Sequence, residues 1–341
     1  MKKINIGIIG AGRIGKVHTE TIVQGITDAE VVSIVDVNLS EATKLAQKFR
    51  IANFSQNYQD VINNPEIDAV VICSPTNTHA QYIVESARAG KHIFCEKPID
   101  LDIPTIQNAL KIVEECNVKL MVGFNRRFDS NFRKIKQMVL EGKIGEPHIL
   151  KITSRDPAPP PAEYVAVSGG MFLDMTIHDF DMARFIVGSE VVEIFVAASV
   201  MVDPKIGEAG DVDTALITLR FENGAMGVID NSRKAVYGYD QRVEIFGSKG
   251  MIKVDNNAPD NHSYYGNDGV HASLPLNFFM DRYIEAYANE IKEFCSAILN
   301  DDPISVGGMD GLRAVMIGLA AKKSVQENRP IKISEILEVH N

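Results

Sequence analysis

Along the first third of the chain, short β-branched apolar runs alternate with stretches whose apolar residues recur every three to four positions. "INIGIIG" and "VVSIVDV" read as parallel strands buried on both faces. Between them, Ile14 to Gly25 reads as a helix. "LSEATKLAQKF" reads as a second, with Asn38 and Glu41 spaced as a capping pair. "IDAVVIC" is a third strand, and "THAQYIVESARAG" its helix, ended by Gly90. "KHIFCEKP" is a short strand entering a proline turn, "DIPTIQNALKIVEECN" a helix and "VKLMVGF" a strand. Repeated βα units predict right-handed crossovers and a doubly wound parallel sheet.

The rhythm changes near Phe124. A helix from Ser130 to Glu141 leads to the strand "EPHILKITSR", the proline-rich loop "DPAPPPAEYVAVS" and one helix spanning "GGMFLDMTIHDFDMARF". "VVEIFVAASVMV", "DTALITLRFENGAMGVIDNS" and "QRVEIFGSKGMIKV" then alternate apolar and polar residues around turns such as Asn223-Gly224. They predict an antiparallel sheet with one covered face. A loop from Asp255 to Asn277 precedes two helices, near Phe278–Leu299 and Met309–Gln326. The expected domains are 1–123 and 124–341, α/β followed by α+β.

Composition narrows the function. The 341 residues are 45% hydrophobic and 23% charged, as in a globular chain. The net charge of -10 argues against a nucleic-acid partner, which needs a basic face. No apolar run reaches membrane-spanning length. "MKKINIGIIG" has the charge and oiliness of a signal peptide, but its glycines and the absence of a cleavage site favour a strand. Cys73, Cys95, Cys116 and Cys295 lack zinc spacing and are expected to be reduced and buried in a cytoplasmic protein.

Four stretches carry candidate chemistry. Gly10-x-Gly12-x-x-Gly15 lies between a strand and a helix. Gly10 permits the tight turn, Gly12 the approach of a pyrophosphate, and Gly15 close strand–helix packing. Arg13 and Ile14 open the helix, whose free amides suit phosphate. Asp36, ending the second strand, suits both ribose hydroxyls and repels a 2′-phosphate, so NAD is expected over NADP. "CSPTNTH" leaves the third strand at its ligand-bearing end. Ser74, Asn77 and His79 are candidate cofactor contacts, and the segment reads equally as a helix cap. In "CEKP", Lys97 is placed to hold a substrate oxygen, with Glu96 steadying its ammonium; taken alone, Lys97 reads as a surface charge.

The fourth is the helix from Gly169 to Phe185. In a regular helix Asp174, His178 and Asp181 share a stripe, flanked by Leu173, Ile177 and Phe180. Three readings compete: a metal site, poorly supplied with ligands; a solvated face, disfavoured by Phe172, Met175 and Met182; and a general base, His178, steered by Asp174. The third is favoured.

GxGxxG, Asp36, EKP and Asp-x3-His together resemble the Gfo/Idh/MocA oxidoreductases along nearly the whole chain. Within that family, "VGFNRRFD", "SRDPAPPP" and "GGMFLDMTIHDFDMARF" are similar to the inositol 2-dehydrogenases. The resemblance implies an NAD-binding Rossmann domain and an open, mostly antiparallel sheet that forms a homotetramer interface. It implies a catalytic trio at Lys97, Asp174 and His178, and pocket positions at Arg127, Asp156 and Tyr237. It also implies a Lys97–Pro98 bond that is cis in relatives. The implied reaction is NAD-dependent oxidation of a cyclic polyol, myo-inositol to 2-keto-myo-inositol (scyllo-inosose), with His178 as base. Alternatives are another inositol isomer or a sugar, or an NAD-binding regulator without turnover.

Overall fold

A computed structural model describes residues 3–338. The chain divides into two compact units, Met1–Phe128 with Glu285–Val315, and Asp129–Ile284 with Met316–Asn341.

The first unit is built on β1 (Ile4–Ile9), β2 (Ala29–Val35), β3 (Asn53–Ser55), β4 (Ala69–Ile72), β5 (His92–Cys95) and β6 (Leu120–Val122). All five pairings are parallel, in the order β3-β2-β1-β4-β5-β6. Ile6, Ile8, Val70, Val71, Ile93 and Phe94 are fully buried, which explains runs too oily to alternate. Strand order reverses between β1 and β4, and the Cys73 amide donates to the Ile9 carbonyl at 2.8 Å. The segments leaving these two strands therefore lie together, as ligand-binding crevices of doubly wound sheets require. Strand β3 and the helix Gln59–Ile62 were not expected; at three and four residues they carry no period to read. Asn38 does cap its helix, accepting from the Ser40 amide, but Glu41 pairs with Lys16 and Lys44 rather than closing a reciprocal box. The Lys97–Pro98 bond is cis. All four cysteines are free; Cys95 and Cys295 are buried, whereas Cys73 and Cys116 are only half-buried.

The second unit contains β7 (Pro147–Arg155), β8 (Val191–Ser199), β9 (Thr214–Phe221), β10 (Met226–Ser232), β11 (Asp240–Gly247), β12 (Gly250–Val254), β13 (Ser263–Gly266), β14 (Gly269–Ala272) and β15 (Ile331–Lys332). Seven form one sheet, β12-β11-β7-β10-β9-β8-β15, while β13 and β14 form a separate hairpin inside the expected loop 255–277. The sheet is mixed, because β7 and β10 pair in parallel between otherwise antiparallel neighbours. Strand β9 buries Ala215, Ile217, Leu219 and Phe221 on one face and exposes Leu216 on the other. On the exposed face Met251, Phe246, Ile149 and Met226 stand in register across four strands, each between 38% and 51% exposed.

Two expectations fail where the chain leaves β7. The proline-rich loop contains a helix, Ala162–Ser168. The next helix is not continuous: Met171–Met175 forms a π turn, and the α-helix runs only from Ile177 to Val187.

Candidate active site

In the first unit, the dinucleotide turn has the shape its glycines predict. Gly10 has φ +105°, and a Cβ there would meet the Cys73 carbonyl at 2.7 Å. A Cβ on Gly15 would lie 1.9 Å from the Gly10 carbonyl oxygen, so only glycine packs there. Gly12 has nothing within 4 Å, and as N-cap of the helix Arg13–Gly25 it offers no side chain to that helix's first amides. Open space at the N-terminus of a helix fits a pyrophosphate. Arg13 is exposed and Ile14 half-buried at the helix start. The Asp36 carboxylate accepts from the Ala11 amide at 2.6 Å and the Asn38 amide at 2.8 Å. It is thus fixed beside the turn with lone pairs left for ribose hydroxyls.

The neighbouring loops are braced internally. Ser74 Oγ and Thr78 Oγ1 are 2.6 Å apart, and Asn77 is exposed on the short 3-10 turn Thr76–Thr78. His79 departs from expectation. Its ring is buried, with Nδ1 2.7 Å from the Pro98 carbonyl and Nε2 2.8 Å from the Ser74 carbonyl. The ring thus ties the two loops together and leaves no nitrogen for a cofactor. Glu96 accepts through Oε1 from Nε2 of His18 at 2.7 Å, and its Oε2 lies 3.4 Å from the Lys97 amide. The carboxylate steadies the backbone of Lys97 and is shared with a buried imidazole. Lys97 itself is half-buried. Arg127 is buried and pairs with Asp310 at 2.9 Å.

In the second unit the polar groups of the former "helix" separate. Asp179 is fully buried and accepts from Asn231 Nδ2 at 3.0 Å; Asn231 also donates to the Ser154 carbonyl and accepts from Thr176 Oγ1 at 2.7 Å. Asp181, also buried, lies 3.8 Å from Arg184. Neither continues a functional stripe. Because the Thr176 amide bonds to the Met171 carbonyl, five residues back, the regular i,i+4 relation does not apply from Asp174 to His178. Asp174 sits on the π turn, and His178, half-buried, on the first turn of the α-helix.

Asp174 accepts from Tyr164 Oη at 3.1 Å, and both terminal nitrogens of Arg233 lie 3.4 Å from its other oxygen. The same guanidinium reaches Asp156 at 3.4 Å. Arg233, its side chain 4% exposed, therefore holds two carboxylates in one place. Sequence reasoning missed it; the only signal was a pair of cations just past a strand, in "NSRK". Tyr237 donates to Asp240 at 2.6 Å and accepts from Arg155 at 2.9 Å. Burial first, and the Asp240 charge next, push its hydroxyl pKa up.

A doubly wound parallel sheet with a glycine turn after its first strand and an aspartate fixed beside that turn has the build of a dinucleotide-binding enzyme. Residues 4–124 match the oxidoreductase family with an NAD-binding Rossmann fold, and residues 132–253 match the Gfo/Idh/MocA C-terminal domain; the chain belongs to this family. It is 48% identical to the myo-inositol 2-dehydrogenase of Thermotoga maritima, over 98% of this chain and 100% of that one. It is 46% identical to the inositol 2-dehydrogenase of Rhizobium meliloti, over 97% and 99%. The scyllo-inositol dehydrogenase of Lactobacillus casei, solved with NAD(H) and scyllo-inositol, is similar at a TM-score of 0.92 and 32% identity, covering 98% of this chain and 100% of that one.

Proposed function

We propose that this protein is an NAD-dependent inositol 2-dehydrogenase that oxidises myo-inositol at C2 to the keto-inositol. The observation that carries the reading is the Asp156–Arg233–Asp174 cluster: two carboxylates held by one guanidinium, acceptors suited to hydroxyls. A phosphorylated substrate would meet acidic groups where it needs basic ones.

NAD, when bound, supplies the hydride acceptor. The Gly12 turn and the amides at Arg13, Ile14 and Gly15 hold its pyrophosphate, and Asp36 its ribose. Ser74, Asn77, Glu96 and Lys97 border its far end. His178 takes the proton of the reacting hydroxyl, a task suited to imidazole near neutral pH. Lys97 donates to the same oxygen and stabilises the charge it develops. Asp174 and Asp156 accept from neighbouring hydroxyls and orient the ring. Arg127 and Tyr237 are assigned to substrate hydroxyls, each oriented by a carboxylate partner, Asp310 and Asp240.

The 48% match to a myo-inositol enzyme favours that isomer over scyllo-inositol, where the match is 32%. We assign the protein to inositol catabolism in the cytoplasm, as a homotetramer joined through the apolar row on the open sheet face. Among the described residues, no helix is long and apolar enough to cross a membrane. The test is NADH formation from NAD with inositol isomers and hexoses, repeated with NADP. Turnover of myo-inositol with NAD is expected. NAD binding without turnover of any polyol would instead identify a regulator.

A further inference from the structure

The interior of the first unit holds ionisable side chains that the reaction above does not use. Helix Arg13–Gly25 contributes His18, the turn after β5 contributes Glu96, and helix Ile284–Asn300 contributes Glu290. One nitrogen or oxygen of each lies within 4.8 Å of the others. His18 and Glu290 are fully buried. Gly123 leaves room for the group, since a Cβ there would sit 3.1 Å from the Glu96 carboxylate. The His18 ring is packed edge-on against Phe94 and Tyr287, at 5.0 and 5.6 Å.

The three groups are not satisfied equally. His18 Nε2 donates to Glu96 at 2.7 Å. Both oxygens of Glu290 lack a hydrogen-bond partner, as does Nδ1 of His18. A bare Nδ1 fits a neutral imidazole, which carries a lone pair there; an imidazolium would bury an unbonded N–H. Two carboxyl groups this close, walled by aromatic rings, cannot both be charged without a cation or water between them. Glu96 has the donor, and Glu290 has none.

We propose that Glu290 is held as a neutral carboxylic acid behind Glu96 and serves as a positioning residue for the turn that carries Lys97. Only its link to Lys97 rests on the dehydrogenase reading. Burial first, and the Glu96 charge second, raise the Glu290 pKa well above the ordinary carboxyl value. The groups facing Glu290 are His18 from the first helix, Glu96 from the β5 turn and Cys73 from the end of β4. With His18 on one side and Glu290 on the other, the Glu96 carboxylate fixes the peptide from which Lys97 projects.

The sign of the pH effect follows. The unfolded chain ionises Glu290 in the ordinary carboxyl range, while the folded protein holds the proton to higher pH. Its contribution to stability is therefore complete below that range and is lost as pH rises towards the folded value.

The experiment compares the wild-type protein with Glu290→Gln and Glu290→Ala, all as full chains. At neutral pH the wild type should show the infrared carbonyl band of a protonated carboxyl group, absent from Glu290→Gln. The amide keeps the shape of the neutral acid, so Glu290→Gln should retain NAD binding and stay within about threefold of wild-type kcat. Its melting temperature should also fall less steeply from about pH 5 to about pH 8. Glu290→Ala should lose roughly tenfold or more in kcat at little changed KM for the polyol. Absence of the band overturns the proposal. So does a stoichiometric divalent metal in the wild type that Glu290→Gln loses, or equal damage in Gln and Ala variants. If the wild type oxidises no polyol, the dehydrogenase reading fails instead, while the band and the melting series still decide the state of Glu290.

Discussion

In the proposed reaction Lys97 and His178 each serve the chemical step, so each should be indispensable to turnover and dispensable for NAD binding. Lys97→Ala and His178→Ala should each lower kcat by about 10²- to 10⁴-fold, with NAD affinity by calorimetry little changed. Near-normal turnover would remove that residue from the reaction. Arg233→Met leaves Asp156 and Asp174 without the cation between them; KM for inositol should rise roughly tenfold while KM for NAD stays constant in steady-state assays. The shape of the glycine turn was legible, because GxGxxG and Asp36 are local patterns. Asp174 and His178 were read as one helical stripe, which the π turn breaks. Arg233 was not legible, because its partners lie 59 and 77 residues away and only the fold brings them together. The bonding of His79 was hidden for a related reason: sequence places it in a loop at the ligand end of a strand but does not reveal that two carbonyls take its ring.

At the level of elements, the π turn is the feature a regular helical period conceals. One additional residue in the turn Met171–Met175 puts Asp174 out of step with the α-helix that follows. Asn231, from β10, bonds both Thr176 and Asp179 and so pins the junction to the sheet. Asn231→Leu removes one hydrogen bond from a buried carboxylate and one from a buried hydroxyl. It should destabilise the fold by about 3 kcal/mol, read from urea unfolding, and lower kcat through displacement of Asp174. Elements marked by an apolar run and turn residues were readable: β1, β2, β4, β5 and β6, the hairpin at Asn223-Gly224 and the paired β11 and β12 fall where the pattern put them. Strands without such a run were not. Strands β13 and β14, at four residues each among polar neighbours, have too little period to stand out from a loop.

At the level of the molecule, the second unit's sheet leaves Met251, Phe246, Ile149 and Met226 in a registered row open to solvent. An apolar band of this kind on one chain favours association. Phe246→Asp with Met226→Glu should convert the proposed tetramer to smaller species in sedimentation velocity, while the far-UV circular dichroism stays native. An unchanged sedimentation coefficient would place the interface elsewhere. The first unit also has a history written into its connectivity, because residues 285–315 rejoin it only after the whole of 129–284 has been made. Phe294 covers Phe94, and Tyr287 covers the His18 ring. A nascent chain released from the ribosome at residue 128 would expose these aromatic surfaces to water. The nucleotide-binding half therefore matures late in synthesis, although its code is translated first.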